Sequence, residues 1–98
     1  MKPEIWGNHA WLFLHGVTMN YSPSKKTRKE AYKLFKSLRY LLPCNKCSKN
    51  LQKHMKKIPL TKDILKSREK FVKWLIDIHN EVYKSVGKPT MSYNDAIR

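Results

Sequence analysis

Acidic residues are scarce in this chain: seven Asp and Glu stand against 21 Lys and Arg, which gives a formal net charge of +14. Long apolar runs are absent as well, and none approaches the roughly 20 residues that a membrane-spanning helix needs. The most apolar stretch, residues 11–17, is interrupted by His15 and follows the acidic Glu4, unlike a secretory signal peptide. The sequence therefore predicts neither a signal peptide nor a transmembrane segment.

Glycine and proline are few, three and five, and they fall mostly between periodic segments. No segment alternates apolar and polar residues over several positions, so no β-strand is expected. Ninety-eight residues suffice for one domain with a single modest core. We therefore expect residues 1–98 to form a single all-α domain.

Apolar periodicity predicts four helices. The first, Ile5 to Met19, is apolar on nearly every side and is expected to be buried. The second is amphipathic and stops at Pro43, because proline cannot continue the helical hydrogen-bond ladder. The third starts about Cys44 and ends at Pro59.

The fourth helix has the clearest pattern, with apolar residues at steps of three and four before the stop at Gly87 and Pro89. Residues 92–95 resemble a capping box, which predicts a short fifth helix ending at Arg98. Four helices with short connections favour an antiparallel four-helix bundle.

Cysteine is limited to Cys44 and Cys47, three positions apart and therefore close enough to form a disulfide with each other. In a chain without a secretory signal, such a pair is more often catalytic or metal-binding than structural. The helix N-terminus and the nearby Lys46 and Lys49 stabilise a thiolate, which favours thiol–disulfide exchange.

Two alternatives stay open at this point. A zinc site would use Cys44, Cys47, His54 and a second histidine from another helix. A basic nucleic-acid-binding protein would use the net charge of +14. The lysines are spread from Lys25 to Lys88, which favours a solvated surface over a dedicated nucleic-acid face, although such a surface also attracts acidic substrates.

A second group of residues favours the redox interpretation. Gly7, Trp11 and His15 recur on one face of the first predicted helix, and His79 and Tyr83 lie one turn apart on the fourth. Packing explains each of them singly. Together, in a bundle that also carries a cysteine pair and lysines, they suit a planar, hydrogen-bonding, pyrophosphate-bearing cofactor.

Three ordered blocks in the chain resemble the Erv/Alr family of FAD-linked sulfhydryl oxidases. They are Trp-Gly-Asn-His-Ala-Trp-Leu-Phe-Leu-His at 6–15, Pro-Cys-Asn-Lys-Cys at 43–47, and Trp-Leu-Ile-Asp-Ile-His-Asn-Glu-Val at 74–82 with Gly-Lys-Pro at 87–89. The small size and minimal cysteine content are most similar to the versions encoded by large DNA viruses.

The resemblance implies a helical bundle that binds FAD within it, usually as a homodimer. Cys44 would exchange with dithiol protein substrates, and Cys47 would lie next to the flavin. Electrons would pass to FAD and then to molecular oxygen, giving hydrogen peroxide. The cofactor-binding residues that it implies, besides Cys47, are Gly7, Asn8, Trp11, His15, Tyr21, His79, Asn80, Val82, Tyr83, Lys84 and Lys88.

The chain also departs from the family pattern. Asn8 stands where many relatives have a basic residue, and Tyr83 replaces an Asn, so the adenosine end of FAD is expected to be held differently. The distal shuttle cysteines are absent, and Tyr93 stands where relatives often have a cysteine. Cys44 is thus expected to meet substrates directly or through a thioredoxin-like or glutaredoxin-like relay. The viral resemblance places the protein in the host cytoplasm, at virus assembly sites, and in the virion.

Overall fold

The computed structural model describes residues 1–90 and residue 92, and the described chain is helical. Its elements are α1 (Pro3–Met19), α2 (Lys25–Leu41), α3 (Asn45–Lys57), a 3₁₀ turn (Ile64–Lys66) and α4 (Arg68–Ser85). The predicted all-α fold with four helices is confirmed. The predicted fifth helix involves residues 93–98, which lie outside the described residues.

Side-chain caps fix where two of the helices begin. Ser24 precedes α2, and its hydroxyl accepts from the Thr27 backbone N–H at 3.1 Å, while the Thr27 hydroxyl accepts from the Ser24 N–H at 2.9 Å. The Ser67 hydroxyl accepts in the same way from the Lys70 backbone N–H at 3.2 Å, and α4 begins at the next residue. Gly87, at φ +75°, ends α4 in the left-handed conformation that glycine adopts without strain.

The core lies around α4, which packs against α1, α3 and the 3₁₀ turn, while α2 packs on α3. Phe71 is fully buried, and its ring meets the rings of Tyr21 and Phe35 edge-on at 4.8 and 5.6 Å between centroids. The Trp74 indole N–H donates to the Ile58 carbonyl at 2.9 Å, which ties α4 to the end of α3. The ring contacts therefore tie α2 and the segment after α1 to α4, and the indole hydrogen bond adds α3.

The expectation that the first helix is buried was wrong for the single chain. In α1 only His15 and Thr18 are buried, whereas Leu12 and Phe13 are 74% and 66% exposed. The reason is that α1 packs mainly against α4, so one stripe of this apolar helix is covered and the opposite stripe faces outward.

Candidate functional site

A cavity of about 470 Å³ lies among the four helices. This volume falls within the range of roughly 300–1,000 Å³ that is typical of small-molecule and cofactor sites. Its lining is mostly apolar and aromatic, and it includes Leu14, Phe35, Leu38, Leu51, Met55, Leu75 and Ile78. Such a wall accommodates a flat apolar ring system.

The cysteine pair lies at the edge of this cavity, where α3 begins. Cys44 and Cys47 form a disulfide with their Cα atoms 5.2 Å apart, and only Cys47 lines the cavity. Cys44 is the N-cap residue of α3, and its Sγ accepts from the Cys47 backbone N–H at 3.2 Å. The same N–H can stabilise a Cys44 thiolate when the disulfide is open.

Hydrogen bonds fasten the turn that carries the cysteines to α2. The Leu42 backbone N–H donates to the buried Ser48 hydroxyl at 3.1 Å, and the Gln52 amide donates to the Arg39 carbonyl at 3.1 Å. Since these bonds join the end of α2 to the first eight residues of α3, they hold the disulfide in place beside the cavity.

Next to the cavity, His15 of α1 and His79 of α4 form a buried pair, with Nε2 of His15 2.8 Å from Nδ1 of His79. Burial lowers the pKa of His15, and burial followed by the neighbouring His15 lowers the pKa of His79 to about 4. Both rings are therefore neutral at pH 7, and one N–H bridges them.

The outer nitrogens of this pair, Nδ1 of His15 and Nε2 of His79, are buried without a hydrogen-bond partner among the described residues. In a neutral pair with one bridging proton, one outer nitrogen carries a hydrogen and the other a lone pair. The pair can thus offer one donor and one acceptor to a polar ligand, and buried polar atoms of this kind are rarely left unpaired.

Aromatic rings connect the histidine pair to the cavity wall. The Trp11 indole stacks on the His79 imidazole with the centroids 3.9 Å apart, and the Tyr83 ring meets His79 edge-on at 4.3 Å. The Lys88 ammonium lies 5.5 Å from the centre of the Tyr83 ring. Trp11, Tyr83 and Lys88 all line the cavity, so a cation stands beside its aromatic wall.

Seven of the predicted site residues line the cavity, namely Gly7, Asn8, Trp11, Cys47, Val82, Tyr83 and Lys88. His15 and His79 are not on the lining but adjoin it through Trp11. Asn80 and Lys84 also lie off the lining, and Lys84 forms an ion pair with Glu81 at 3.7 Å.

Tyr21 is placed in the core rather than on the cavity. Its hydroxyl donates to the Leu65 carbonyl at 2.7 Å, and its ring packs edge-on against Phe71. The structure therefore gives Tyr21 a packing contact that connects the end of α1 to the 3₁₀ turn.

Leu51 and Met55 also line the cavity with Cys47, although neither was among the predicted site residues. Their steps of four residues from Cys47 put all three on one face of α3, and this spacing could have identified them. Asn50 and Ser85, also on the lining, have no comparable pattern in the sequence.

The zinc alternative finds no support in the part of the chain that the structure describes, because no group of three or more His, Cys, Asp or Glu could hold a metal ion there. No helix within these described residues is both long and apolar enough to span a bilayer.

An apolar cavity among four helices, with a disulfide at its edge, is the arrangement expected of a helical thiol–disulfide oxidoreductase that binds a cofactor. Residues 8–98 match the model of the Erv1/Alr family. The chain belongs to the Erv1/Alr family, and this confirms the predicted family, the enzyme class of FAD-linked sulfhydryl oxidases and FAD as the cofactor.

Relatives from viruses and cells agree with this result. The chain is 46% identical to the probable FAD-linked sulfhydryl oxidase R368 of Acanthamoeba polyphaga mimivirus, over 99% of this chain and 69% of that protein. It is 30% identical to the putative FAD-linked sulfhydryl oxidase 347L of Invertebrate iridescent virus 6, over 93% of this chain and 87% of that protein. The mitochondrial FAD-linked sulfhydryl oxidase ERV1 of Saccharomyces cerevisiae is 28% identical over 93% of this chain but only 48% of its own length.

The fold agrees as well. The crystal structure of the FAD-binding domain of Erv1 from Saccharomyces cerevisiae superimposes with a TM-score of 0.87 and 26% identity, covering 98% of this chain and 90% of that chain. The four helices described above are thus the architecture of a known FAD-binding domain.

Proposed function

We propose that the chain oxidises pairs of thiols in protein substrates to disulfides and passes the electrons through Cys44 and Cys47 to FAD in the cavity. The observation that carries this proposal is the position of the two sulfurs. Cys47 lines the cavity, while its bonded partner Cys44 does not. One sulfur can therefore face the cofactor while the other remains available to a substrate.

Thiol–disulfide exchange gives the sequence of steps. A substrate thiolate attacks Sγ of Cys44, the Cys44–Cys47 bond breaks, and Cys47 leaves as a thiolate. The second substrate thiolate then attacks the mixed disulfide and releases Cys44, so that the substrate has lost two electrons and two protons. When bound, FAD would accept this electron pair and pass it to molecular oxygen, giving hydrogen peroxide.

The chemistry of the cavity residues fits FAD. The apolar and aromatic wall suits the flavin, and the unpaired nitrogens of His15 and His79 offer hydrogen bonds to a polar group. Lys88 lines the cavity and supplies positive charge for a phosphate, with Lys84 nearby along the chain. The proposed binding surface also includes Gly7, Asn8, Trp11, Val82 and Tyr83. Asn80 extends this surface along α4.

The exposed face of α1 supports a homodimer. Ile5, Leu12 and Phe13 are 60%, 74% and 66% exposed, and large exposed apolar side chains that share a helix face are typical of protein interfaces. Because the chain is similar to sulfhydryl oxidases of viruses, we place the enzyme in the host cytoplasm, at virus assembly sites, and in the virion. There Cys44 would meet substrate dithiols directly or through a thioredoxin-like or glutaredoxin-like protein.

Two measurements test the function together. The purified protein is expected to be yellow, with the visible absorption of a flavin, and to consume oxygen in the presence of dithiothreitol while forming one hydrogen peroxide per oxygen. A colourless wild-type protein that neither binds added FAD nor consumes oxygen would refute the proposal.

A further inference from the structure

Positive charge is concentrated in the part of the chain that carries the disulfide. Residues 25–57, which contain α2 and α3, hold twelve of the 21 Lys and Arg but only one of the seven Asp and Glu, Glu30. This segment therefore has a net charge of +11 of the total +14. Cys44 and Cys47 lie at the turn in the middle of it.

The lysines of α3 project away from the core. Lys46, Lys49 and Lys53 are exposed, whereas Leu51 and Met55 on the opposite face of the helix are buried. Among the described residues none of these three lysines forms an ion pair with a carboxylate. Their charge is thus not neutralised by an ion pair within the described part of the chain, and the positive potential extends from the surface beside the cysteines.

Apolar side chains are exposed at the same place. Tyr40 and Leu41, at the end of α2 just before Pro43 and Cys44, are 60% and 73% exposed. The Arg39 guanidinium lies 5.0 Å from the centre of the Tyr40 ring, so an apolar surface and a cation are adjacent there. We call Tyr40, Leu41, Lys46 and Lys49 the disulfide rim.

We propose that the disulfide rim docks protein segments in which acidic residues flank the reactive cysteine, and this inference rests on the function proposed above. The positive charge of the rim favours an acidic partner, and its apolar residues favour a polypeptide. The disulfide reacts only with a partner that carries thiols. A nucleic acid meets the first condition but supplies no thiol.

Docking acts on the first exchange step. A carboxylate beside the substrate cysteine is attracted to Lys46 and Lys49, which raises the local concentration of the substrate thiolate near Sγ of Cys44. That thiolate forms the new S–S bond with Cys44 as the Cys44–Cys47 bond breaks, and the electron pair leaves on Cys47. Since the attraction is between exposed charges, it must weaken as the salt concentration rises.

The test compares two dithiol peptides that differ only in Asp or Lys next to their cysteines, with dithiothreitol as an uncharged reference. For the wild-type holoenzyme, kcat/KM for the acidic peptide is expected to exceed that for the basic peptide by about tenfold or more at low salt. The ratio should fall towards one at high salt. Equal values for the two peptides at low salt would overturn the proposal.

Charge-reversal variants locate the effect. The double variant Lys46→Glu/Lys49→Glu should reduce or invert the acidic-to-basic ratio. Lys62→Glu/Lys66→Glu, with the same change in net charge on exposed residues beyond the far end of α3, should keep it. An unchanged ratio in the rim variant contradicts the inference.

Other outcomes are informative in the same experiment. Leu41→Asn should raise KM for both peptides and leave their ratio unchanged, and no effect on KM would contradict the apolar part of the rim. If the rim variant loses affinity for duplex DNA but keeps the wild-type peptide ratio, the surface is a nucleic-acid face and the proposal is wrong. Failure to oxidise even dithiothreitol in the wild type would instead count against the proposed function.

Discussion

The Trp11 indole and the His79 imidazole lie face to face, with ring centroids 3.9 Å apart and 9° between their planes. This stacking joins α1 to α4 at a point where the cavity wall meets the buried histidine pair. Because Trp11 lines the cavity and His79 bonds to His15, the stacked pair connects the cavity wall to both buried histidines.

Acid should destabilise the fold through His79. Its pKa is lowered to about 4 by burial and by His15, against 6.5 in the unfolded chain, so the unfolded chain binds more protons between these values. This stabilisation is therefore complete above pH 6.5 and is lost as the pH falls towards 4, by about 1–3 kcal/mol. Urea unfolding at a series of pH values measures how the free energy of unfolding changes with pH.

Histidine variants show whether the pH dependence of the unfolding free energy arises from the buried histidine pair. His79→Gln should flatten the dependence of the unfolding free energy on pH between 6.5 and 4. His9→Gln, which removes an exposed histidine from the same helix as His15, should retain the wild-type slope. Identical slopes for all three proteins would show that His79 is not the group responsible.

Two glycines of α1 form a matched pair for testing the cofactor site. A Cβ atom at either Gly7 or Gly16 would meet no atom within 4 Å, but only Gly7 lines the cavity. Both Gly7→Leu and Gly16→Leu should favour the helix by up to about 1 kcal/mol. Only Gly7→Leu should reduce flavin content per chain, measured by absorbance after denaturation. Equal flavin content in the two variants would argue against FAD in this cavity.

Cysteine variants separate the roles of the two sulfurs. Cys44→Ser and Cys47→Ser should both bind FAD and both fail to consume oxygen with dithiothreitol. In Cys44→Ser the remaining Cys47 thiolate would stand next to the flavin, which is expected to give a broad long-wavelength absorbance band. The same band in Cys47→Ser instead would reverse the two roles.

Phe71 should contribute strongly to stability, because it is fully buried and in contact with three aromatic rings. Phe71→Ala is expected to lower the free energy of unfolding by about 3–5 kcal/mol. Tyr40→Ala, another aromatic truncation but at a residue 60% exposed, should cost less than about 1 kcal/mol. Chemical denaturation measures the free energy of unfolding of both variants. Similar losses of stability in the two would contradict this description of the core.

Tyr21→Phe tests whether this residue serves packing or cofactor binding. Loss of its hydroxyl leaves the Leu65 carbonyl without its 2.7 Å partner, which should lower the free energy of unfolding by about 1–3 kcal/mol. The flavin spectrum and FAD affinity should stay as in the wild type, as determined by fluorescence titration. A large fall in FAD affinity with unchanged stability would place Tyr21 at the cofactor instead.

Much of the fold could be predicted because helical periodicity is a local property. The apolar steps from Phe71 to Val86 predicted α4, and Pro43 and Gly87 marked where helices end. The spacing of Cys44 and Cys47 likewise indicated that they could form the disulfide seen in the structure, since two residues three positions apart at the start of a helix are within bonding reach.

The burial of α1 could not be predicted in the same way. Apolar residues lie on nearly every side of this helix. Their periodicity therefore does not show which side packs against other helices. Leu12 and Phe13 are exposed because α1 packs mainly on α4 within the single chain. Tyr21 is a similar case, since its contact with Leu65 joins residues 44 positions apart.

The sequence by itself determined the helices, the excess positive charge and a cysteine pair able to form a disulfide, because each depends on residues close together in the chain. The family resemblance pointed to Cys47 as the sulfur beside the cofactor, but tertiary structure alone decided where the cavity lies and that His15 meets His79 across 64 positions. The physical reason is that a cavity and a buried hydrogen bond arise between helices, and interhelical packing depends on side chains distant in sequence.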